Sequence, residues 1–87
     1  MDTALTPAVE RIARVLAGQR ISANAHGQEE SAADLIEQSW RDYRDDAVAV
    51  LHTLRAPSEA MAAAGDAAVW ERMVLAALDE AKPGIVM

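Results

Sequence analysis

The side chains best suited to chemistry in this 87-residue chain are its two histidines, each of which has acids near it in sequence. His26 lies close to Glu29 and Glu30, and His52 follows Asp45 along the same predicted helix. Imidazole and carboxylate groups together bind divalent metals, so each cluster is a candidate metal site. However, no Glu-x-x-His or His-Glu-x-x-His spacing is present, and His52 lies off the apolar stripe of its helix. We therefore expect hydrogen-bonded surface histidines, and no bound metal or cofactor.

Acidic residues form three clusters along the chain: Glu29-Glu30; Asp42, Asp45 and Asp46; and Asp79-Glu80. Paired carboxylates can act as general acid and base when burial separates their pKa values. In the middle cluster, Arg41 precedes Asp45 by one helical turn, and Asp42 precedes Asp46 by the same spacing. On a helix these spacings give one attractive and one repulsive pair, which is typical of a solvated face. We expect these carboxylates to be surface charges rather than catalytic groups.

Motifs for nucleophilic and nucleotide chemistry are missing from the sequence. None of the serines lies in a Gly-x-Ser-x-Gly turn, and no glycine-rich loop has the spacing that cradles phosphates. Ser31 and Ser58 are better explained as residues that begin predicted helices. The sequence therefore predicts that the protein is not an enzyme.

The overall charge argues against nucleic acids and membranes as partners. Fourteen acids and eight bases give a formal net charge of −6, which repels phosphate backbones and anionic lipids. The longest apolar runs are about five residues, far below the roughly 20 needed to span a bilayer. The first residues lack the basic and apolar segments of a secretory signal. We expect a cytoplasmic protein whose partner is another protein or a second copy of itself.

The first part of the chain predicts one helix followed by a loop. Thr6 can cap a helix whose first residue is Pro7. Apolar residues then recur at helical spacing: Val9, Ile12, Ala13 and Leu16. Gly18 is typical of the position just after a helix, so the helix is predicted over 7–17. Residues 19–30 lack periodicity and predict an irregular loop.

The clearest pattern in the chain predicts a long second helix over 32–55, with Ser31 as its N-cap. Its apolar residues follow one another at alternating helical spacings: Ile36, Trp40, Tyr43, Ala47, Val50 and Leu54. Such a helix would be roughly 36 Å long, which is more than a compact domain of this size requires. We expect it to form the spine of the structure.

Proline and glycine divide the last third of the chain into two further helices. Pro57 ends the second helix and begins a short one over 57–64, which Gly65 ends. Asp66 can cap the last helix, which is predicted over 66–81. This helix carries a broad apolar stripe: Val69, Trp70, Met73, Val74, Ala77, Leu78 and Ala81. The stripe predicts that the last helix folds back onto the second.

Together these elements predict an all-α bundle of three main helices and one short helix. It would form a single domain over residues 1–87, with a C-terminal tail at 83–87. Without cysteine, a chain this short must be stabilised by good helix packing or by self-association. Trp40 and Trp70 both lie on apolar stripes, and we expect them to pack in the core. The alternative is that one of them anchors a partner.

Three motifs occur in the second half of the chain: Trp40-x-x-Tyr43-x-x-x-Ala47, Leu51-x-x-Leu54-Arg55-x-Pro57-Ser58-x-Ala60-Met61-x-x-Ala64-Gly65, and Trp70-x-x-Met73-x-x-Ala76-Ala77. Together they resemble a pattern in small uncharacterised proteins of proteobacteria and their phages. The resemblance covers about the last fifty residues. It implies a helical fold and no particular activity.

Trp40, Tyr43, Arg55 and Met61 are the residues predicted to contact a partner. Tryptophan, tyrosine and arginine are the commonest hot spots of protein interfaces, and methionine adapts to irregular contacts. The leading hypothesis is therefore a protein–protein interaction module, and a homodimer is one form that it could take. An alanine-rich face on the short helix would also be available for contact with a partner.

Two further hypotheses come from other classes of function. The first is a small-molecule- or metal-binding helical bundle, with a site near His26 or His52. The second is a DNA-binding regulator, because Arg11, Arg14 and Arg20 are close together in sequence. Three arginines beside an acid make a poor DNA footprint, so we expect no nucleic-acid partner.

Overall fold

The computed structural model describes residues 3–24 and 32–82, of which 82% are helical. No strand occurs within these ranges, so the all-α prediction is confirmed. The elements follow in this order: α1 (Ala8–Asn24), α2 (Ala32–Ser39), a 3₁₀ turn (Trp40–Tyr43), α3 (Arg44–Leu54), α4 (Glu59–Ala64) and α5 (Ala67–Glu80). None of these helices is both long and apolar enough to cross a bilayer. The predicted cap Ser31 and the predicted tail at 83–87 lie outside the described residues.

Helix α1 continues to Asn24, well beyond its predicted end at residue 17. Gly18 lies inside the helix and faces α2, where an added Cβ atom would lie 3.3 Å from the Cδ1 atom of Ile36. Glycine at this position lets the two helices approach closely, although it lowers helix propensity. Gly18 is therefore an interhelical contact rather than a helix stop, and the predicted loop over 19–30 is wrong as far as Asn24.

The second helical segment is interrupted by the 3₁₀ turn, so the prediction of one continuous α-helix over 32–55 is wrong at that point. The backbone departs from ideal α-helical dihedrals at Ser39 (φ −118°, ψ −10°), which stays in the right-handed helical region, and leaves that region at Tyr43 (φ −103°, ψ 8°). The Ser39 hydroxyl also donates to the Leu35 carbonyl at 2.7 Å, a bond that often bends helices. The turn lies against α1 and brings Trp40 into the core.

The core lies where α1 meets the 3₁₀ turn and α3, and α5 covers it through its contacts with α3. Its buried apolar side chains are Val9, Ala13, Ala17, Trp40, Ala47, Leu51, Val74 and Leu78. Among the described residues, the members with no exposed surface are all alanines: Ala13, Ala17 and Ala47. Small side chains bury little apolar area, so we expect a small free energy of unfolding.

Helices α4 and α5 begin directly after Ser58 and Asp66, two residues that the sequence places near helix starts. The Ser58 hydroxyl accepts a hydrogen bond from the backbone N–H of Met61 at 3.2 Å. One carboxylate oxygen of Asp66 accepts from the backbone N–H groups of Ala68 at 2.9 Å and Val69 at 3.1 Å. These bonds satisfy N–H groups that have no partner within the helix. The predicted cap Asp66 is confirmed, whereas the short helix begins at Glu59 rather than at the predicted Pro57, because Ser58 is extended (φ −71°, ψ 167°) and acts as its cap.

The far end of α5 is fastened to α3. The Nη2 atom of Arg44 donates to the carbonyl oxygen of Ala81 at 2.8 Å. A guanidinium at this place satisfies a terminal carbonyl and complements the negative end of the helix dipole. The contact therefore fixes the C-terminal end of α5, whereas the short helix α4 has no buried residue.

Candidate functional site

The four residues predicted to contact a partner lie in different surroundings. Trp40 is only 8% exposed and belongs to the core, as its apolar stripe predicts, so it is not available as an anchor for a partner. Tyr43 is half-buried and packs against the same core. Arg55 and Met61 are exposed, the first just after α3 and the second in α4. Trp40 is thereby removed from the predicted interaction surface.

Charged side chains surround Trp40. The Cζ atom of Arg41 lies 4.5 Å from the ring centroid and that of Arg14 lies 5.1 Å from it, within the range of cation–π attraction. Arg14 also forms ion pairs at 2.8 Å with Glu10 and with Glu37 of α2. The hydrogen bond from Arg14 lowers the pKa of Glu37, and the bonds to Glu37 and Glu10 raise the pKa of Arg14. These five residues, the Trp40 cluster, join α1 to α2 and to the 3₁₀ turn.

The Trp40 cluster also bears on the DNA-binding hypothesis. Of the three arginines that motivate it, Arg14 is paired with two carboxylates and so contributes little net positive charge. Arg11 donates its Nε hydrogen to the Thr6 carbonyl at 3.0 Å, and Arg20 is exposed. The basic face is therefore weaker than the sequence spacing indicates.

Trp70 is the centre of a different arrangement, at the junction of α3 and α5. Its indole N–H donates to the Leu54 carbonyl at 2.7 Å, which satisfies a terminal carbonyl of α3. Beside it, the Nε atom of Arg55 lies 3.0 Å from a carboxylate oxygen of Glu71. The tryptophan is half-buried, so one part of its ring remains accessible. Both contacts hold the first turns of α5 against the end of α3.

An apolar groove of about 360 Å³ runs between α4 and α5 beside Trp70. Its main apolar side chains are Met61, Val69, Trp70 and Met73. Met61 is 40% exposed and Met73 is 61% exposed, which is high for side chains of this size and apolarity. Asp66 is the charged residue that lines this α4–α5 groove. It offers flexible apolar side chains with one carboxylate at the edge.

A second groove of about 550 Å³ separates residues 3–8 from α5. Trp70 and Met73 line this N-terminal groove as well, so the two grooves are contiguous. Leu5 borders it and is 99% exposed, and Arg11 and Glu80 supply its charged groups. We define the association face as five residues of the two grooves: Leu5, Met61, Val69, Trp70 and Met73.

A third groove, of about 700 Å³, contains His52 and Asp45, which are the residues of one predicted metal cluster. Its other lining residues are Val48, Arg72, Leu75, Ala76, Leu78, Asp79, Ala81 and Lys82. Across residues 3–24 and 32–82, no group of three histidine, cysteine or acidic side chains is placed to hold a metal ion. The other predicted cluster, His26 with Glu29 and Glu30, lies outside the described residues.

Most of the association face does not appear among the residues that the sequence predicts for an interaction surface. Met61 is the one shared residue, whereas Val69, Trp70 and Met73 belong to the apolar stripe that the sequence assigns to packing. The breadth of that stripe is the sequence feature that could have identified these three residues as exposed. In α5 only Val74 and Leu78 are buried, so a single neighbouring helix covers only part of the stripe.

Comparison of the chain with protein-family models, with curated proteins and with solved structures found no match. The resemblance of residues 40–77 to small proteobacterial and phage proteins therefore stays a prediction.

Proposed function

We propose that the protein is a small helical protein–protein interaction module that binds through its association face. The observation that carries the proposal is the contiguous exposed apolar surface around Met73 and Trp70, which both grooves share. Contiguous apolar surface on a small protein commonly marks a place where another macromolecule binds. Tryptophan and methionine suit such a surface because one gives large contact area and the other adapts its shape.

The weak attachment of α4 supports the same proposal. This helix spans Glu59–Ala64, contains five apolar residues and buries none of them. A helix of this length is marginal by itself in water, and most helical stability in proteins comes from packing an apolar face. Contact with a partner would supply that packing for α4 and would cover Met61 at the same time.

A photo-crosslinking residue placed at position 64 tests the proposal in cells of the natural source. Ala64 is exposed and lines the α4–α5 groove, so a reactive group there would touch whatever occupies the groove. The matched control carries the same group at Ala33, which is exposed on α2. We expect a covalent adduct with a protein from position 64 and none from position 33. No adduct from position 64 would overturn the proposal.

Charge substitutions show whether such an adduct depends on the association face. Met73→Glu puts a carboxylate into the apolar contact, where desolvation is unfavourable. Leu75→Glu is the matched control, because Leu75 is an exposed apolar residue of the same helix that lines the third groove instead. We expect the adduct to disappear with the first substitution and to persist with the second. Equal loss in both variants would contradict binding through this face.

A further inference from the structure

The association face carries both a protruding apolar side chain and an apolar groove. Leu5 is the most exposed large apolar residue of the described chain, and it borders the N-terminal groove. The α4–α5 groove adjoins it through the shared residues Trp70 and Met73. A protruding side chain, the knob, and a groove on one face are the two features that a self-complementary interface requires.

Two-fold symmetry turns this arrangement into a closed pair. In such an interface, any contact from the first copy to the second is repeated from the second to the first. If Leu5 of each copy enters the α4–α5 groove of the other, both knobs and both grooves are used. The contact leaves neither surface free for a third copy, so it produces a dimer rather than a filament.

The charges of the face fit the same arrangement. Arg11 lines the N-terminal groove with Leu5, and it forms no ion pair among the described residues. Asp66 lines the α4–α5 groove and uses one carboxylate oxygen to cap α5. In the arrangement in which Leu5 enters the groove of the second copy, Arg11 would pair with the Asp66 carboxylate of that copy. This pair must outweigh the negative charge of Glu80, which also lines the N-terminal groove. Opposite charges at matching places favour this register over others.

We infer that the association face binds a second copy of this chain, with Leu5 of each copy seated in the α4–α5 groove of the other and Arg11 facing Asp66. This inference rests on the proposed function and specifies its partner. The net charge of −6 on each copy opposes association at long range, so the apolar contact and the Arg11–Asp66 pair must outweigh that repulsion.

Sedimentation equilibrium over a concentration series tests the inference with the full chain. We expect the mass of the wild-type protein to rise to twice the monomer value. Leu5→Glu and Met73→Glu should each raise the dimer Kd at least about tenfold, as expected for central apolar contacts. Leu5 is fully exposed in the single chain, so its substitution leaves folding unchanged, which circular dichroism would check. Leu75→Glu serves as the control and should leave the Kd unchanged.

An equimolar mixture of Leu5→Glu and Met73→Glu supplies the most specific readout. In the mixed pair, the intact Leu5 of one chain meets the intact groove of the other, so one of the two contacts is regenerated. The mixture should therefore associate more strongly than either variant alone. Asp66→Asn, which keeps the helix cap and removes the charge, should weaken the dimer, and it should have no further effect in the Arg11→Gln background.

Each result separates this inference from the proposed function. A monomeric wild-type protein with a position-64 adduct to a different protein would overturn the second-copy inference and leave the interaction module standing. A monomer without any adduct would overturn both. A dimer that tolerates Leu5→Glu and Met73→Glu, or a mixture no stronger than its components, would overturn the Leu5 arrangement.

Discussion

The two tryptophans of this chain mark two regions of opposite character. Trp40 is buried in the core, in the 3₁₀ turn that lies against α1, with guanidinium groups near its ring, although its indole N–H has no acceptor among the described residues. Trp70 is half-buried, and its N–H is satisfied by the Leu54 carbonyl. The first ring is fixed by packing and the second by a hydrogen bond, with apolar surface left beside it.

This contrast extends to the helices around each tryptophan. Around Trp40, three helical elements contact one another closely and contribute most of the buried residues. Around Trp70, α4 buries nothing and Met73 projects into solvent. The region of α1 to α3 therefore contributes most of the buried core, whereas the α4–α5 region leaves more apolar surface exposed, which fits the proposed division between stability and contact surface.

The largest change in the free energy of unfolding should come from replacing each of the two tryptophans. Trp40→Ala removes a large buried side chain and should lower the free energy of unfolding by about 3–5 kcal/mol. Trp70→Ala removes a half-buried ring and one hydrogen bond, and should lower it by about 1–3 kcal/mol. Urea unfolding followed by circular dichroism measures both values. Equal losses, or a larger loss for Trp70→Ala, would contradict the division between the two regions.

A smaller effect is expected at the start of α5. Asp66→Ala removes the acceptor of two backbone hydrogen bonds and should cost about 1 kcal/mol of stability. Asp66→Asn retains an oxygen acceptor and should change stability by only a few tenths of a kcal/mol. The same urea titrations compare the pair. If both substitutions destabilise the protein equally, the charge rather than the cap is what matters.

Gly18 and Gly65 differ in how much space surrounds them, and substitutions there should have still smaller effects on stability. Gly65→Ala places a Cβ where no atom lies within 4 Å, so the reduced freedom of the unfolded chain should stabilise the protein by about 0.4–1 kcal/mol. Gly18→Ala gains helix propensity but meets Ile36 at 3.3 Å, so we expect a smaller gain than at position 65. Thermal unfolding of the two variants measures the difference. A larger gain at Gly18 would show that α1 and α2 are not tightly apposed.

The finest test concerns the pH dependence of the Trp40 cluster. Because the pKa of Glu37 is lowered in the folded protein, its ion pair with Arg14 stabilises the fold above the ordinary value of 4.5. That contribution is lost as the pH falls from 4.5 through the lowered pKa. Glu37→Gln should therefore flatten the decline of unfolding free energy in this acid range. An unchanged decline in the variant would assign the acid sensitivity to other carboxylates.

The sequence predicts the local features of this fold well and the tertiary ones poorly. Ser58 and Asp66 act as caps because their side chains bind backbone groups within three residues, which is a purely local property. Gly18 is different, since a glycine can end a helix or admit a neighbouring one, and here the position of Ile36 decides. The 3₁₀ turn likewise accompanies the packing of Trp40 against α1, which no spacing along the chain reveals.

The sequence does not predict the association face, because this face also depends on tertiary packing. A helical stripe predicts which residues of α5 share an apolar side, but it does not say how much of that side another helix covers. Leu5 precedes the first helix and belongs to no periodic pattern, so its position on the same groove as Trp70 becomes visible only in the folded chain.

Amide hydrogen exchange of the wild-type protein at low and high concentration is the most direct test of the association face. At low concentration, α4 should exchange faster than α1, because few buried contacts protect it. At high concentration, amides of α4 and of the first turns of α5 should gain protection while those of α1 change little. Protection that rises in α1 and α2 instead, or nowhere at all, would contradict the assignment of this face as the contact surface.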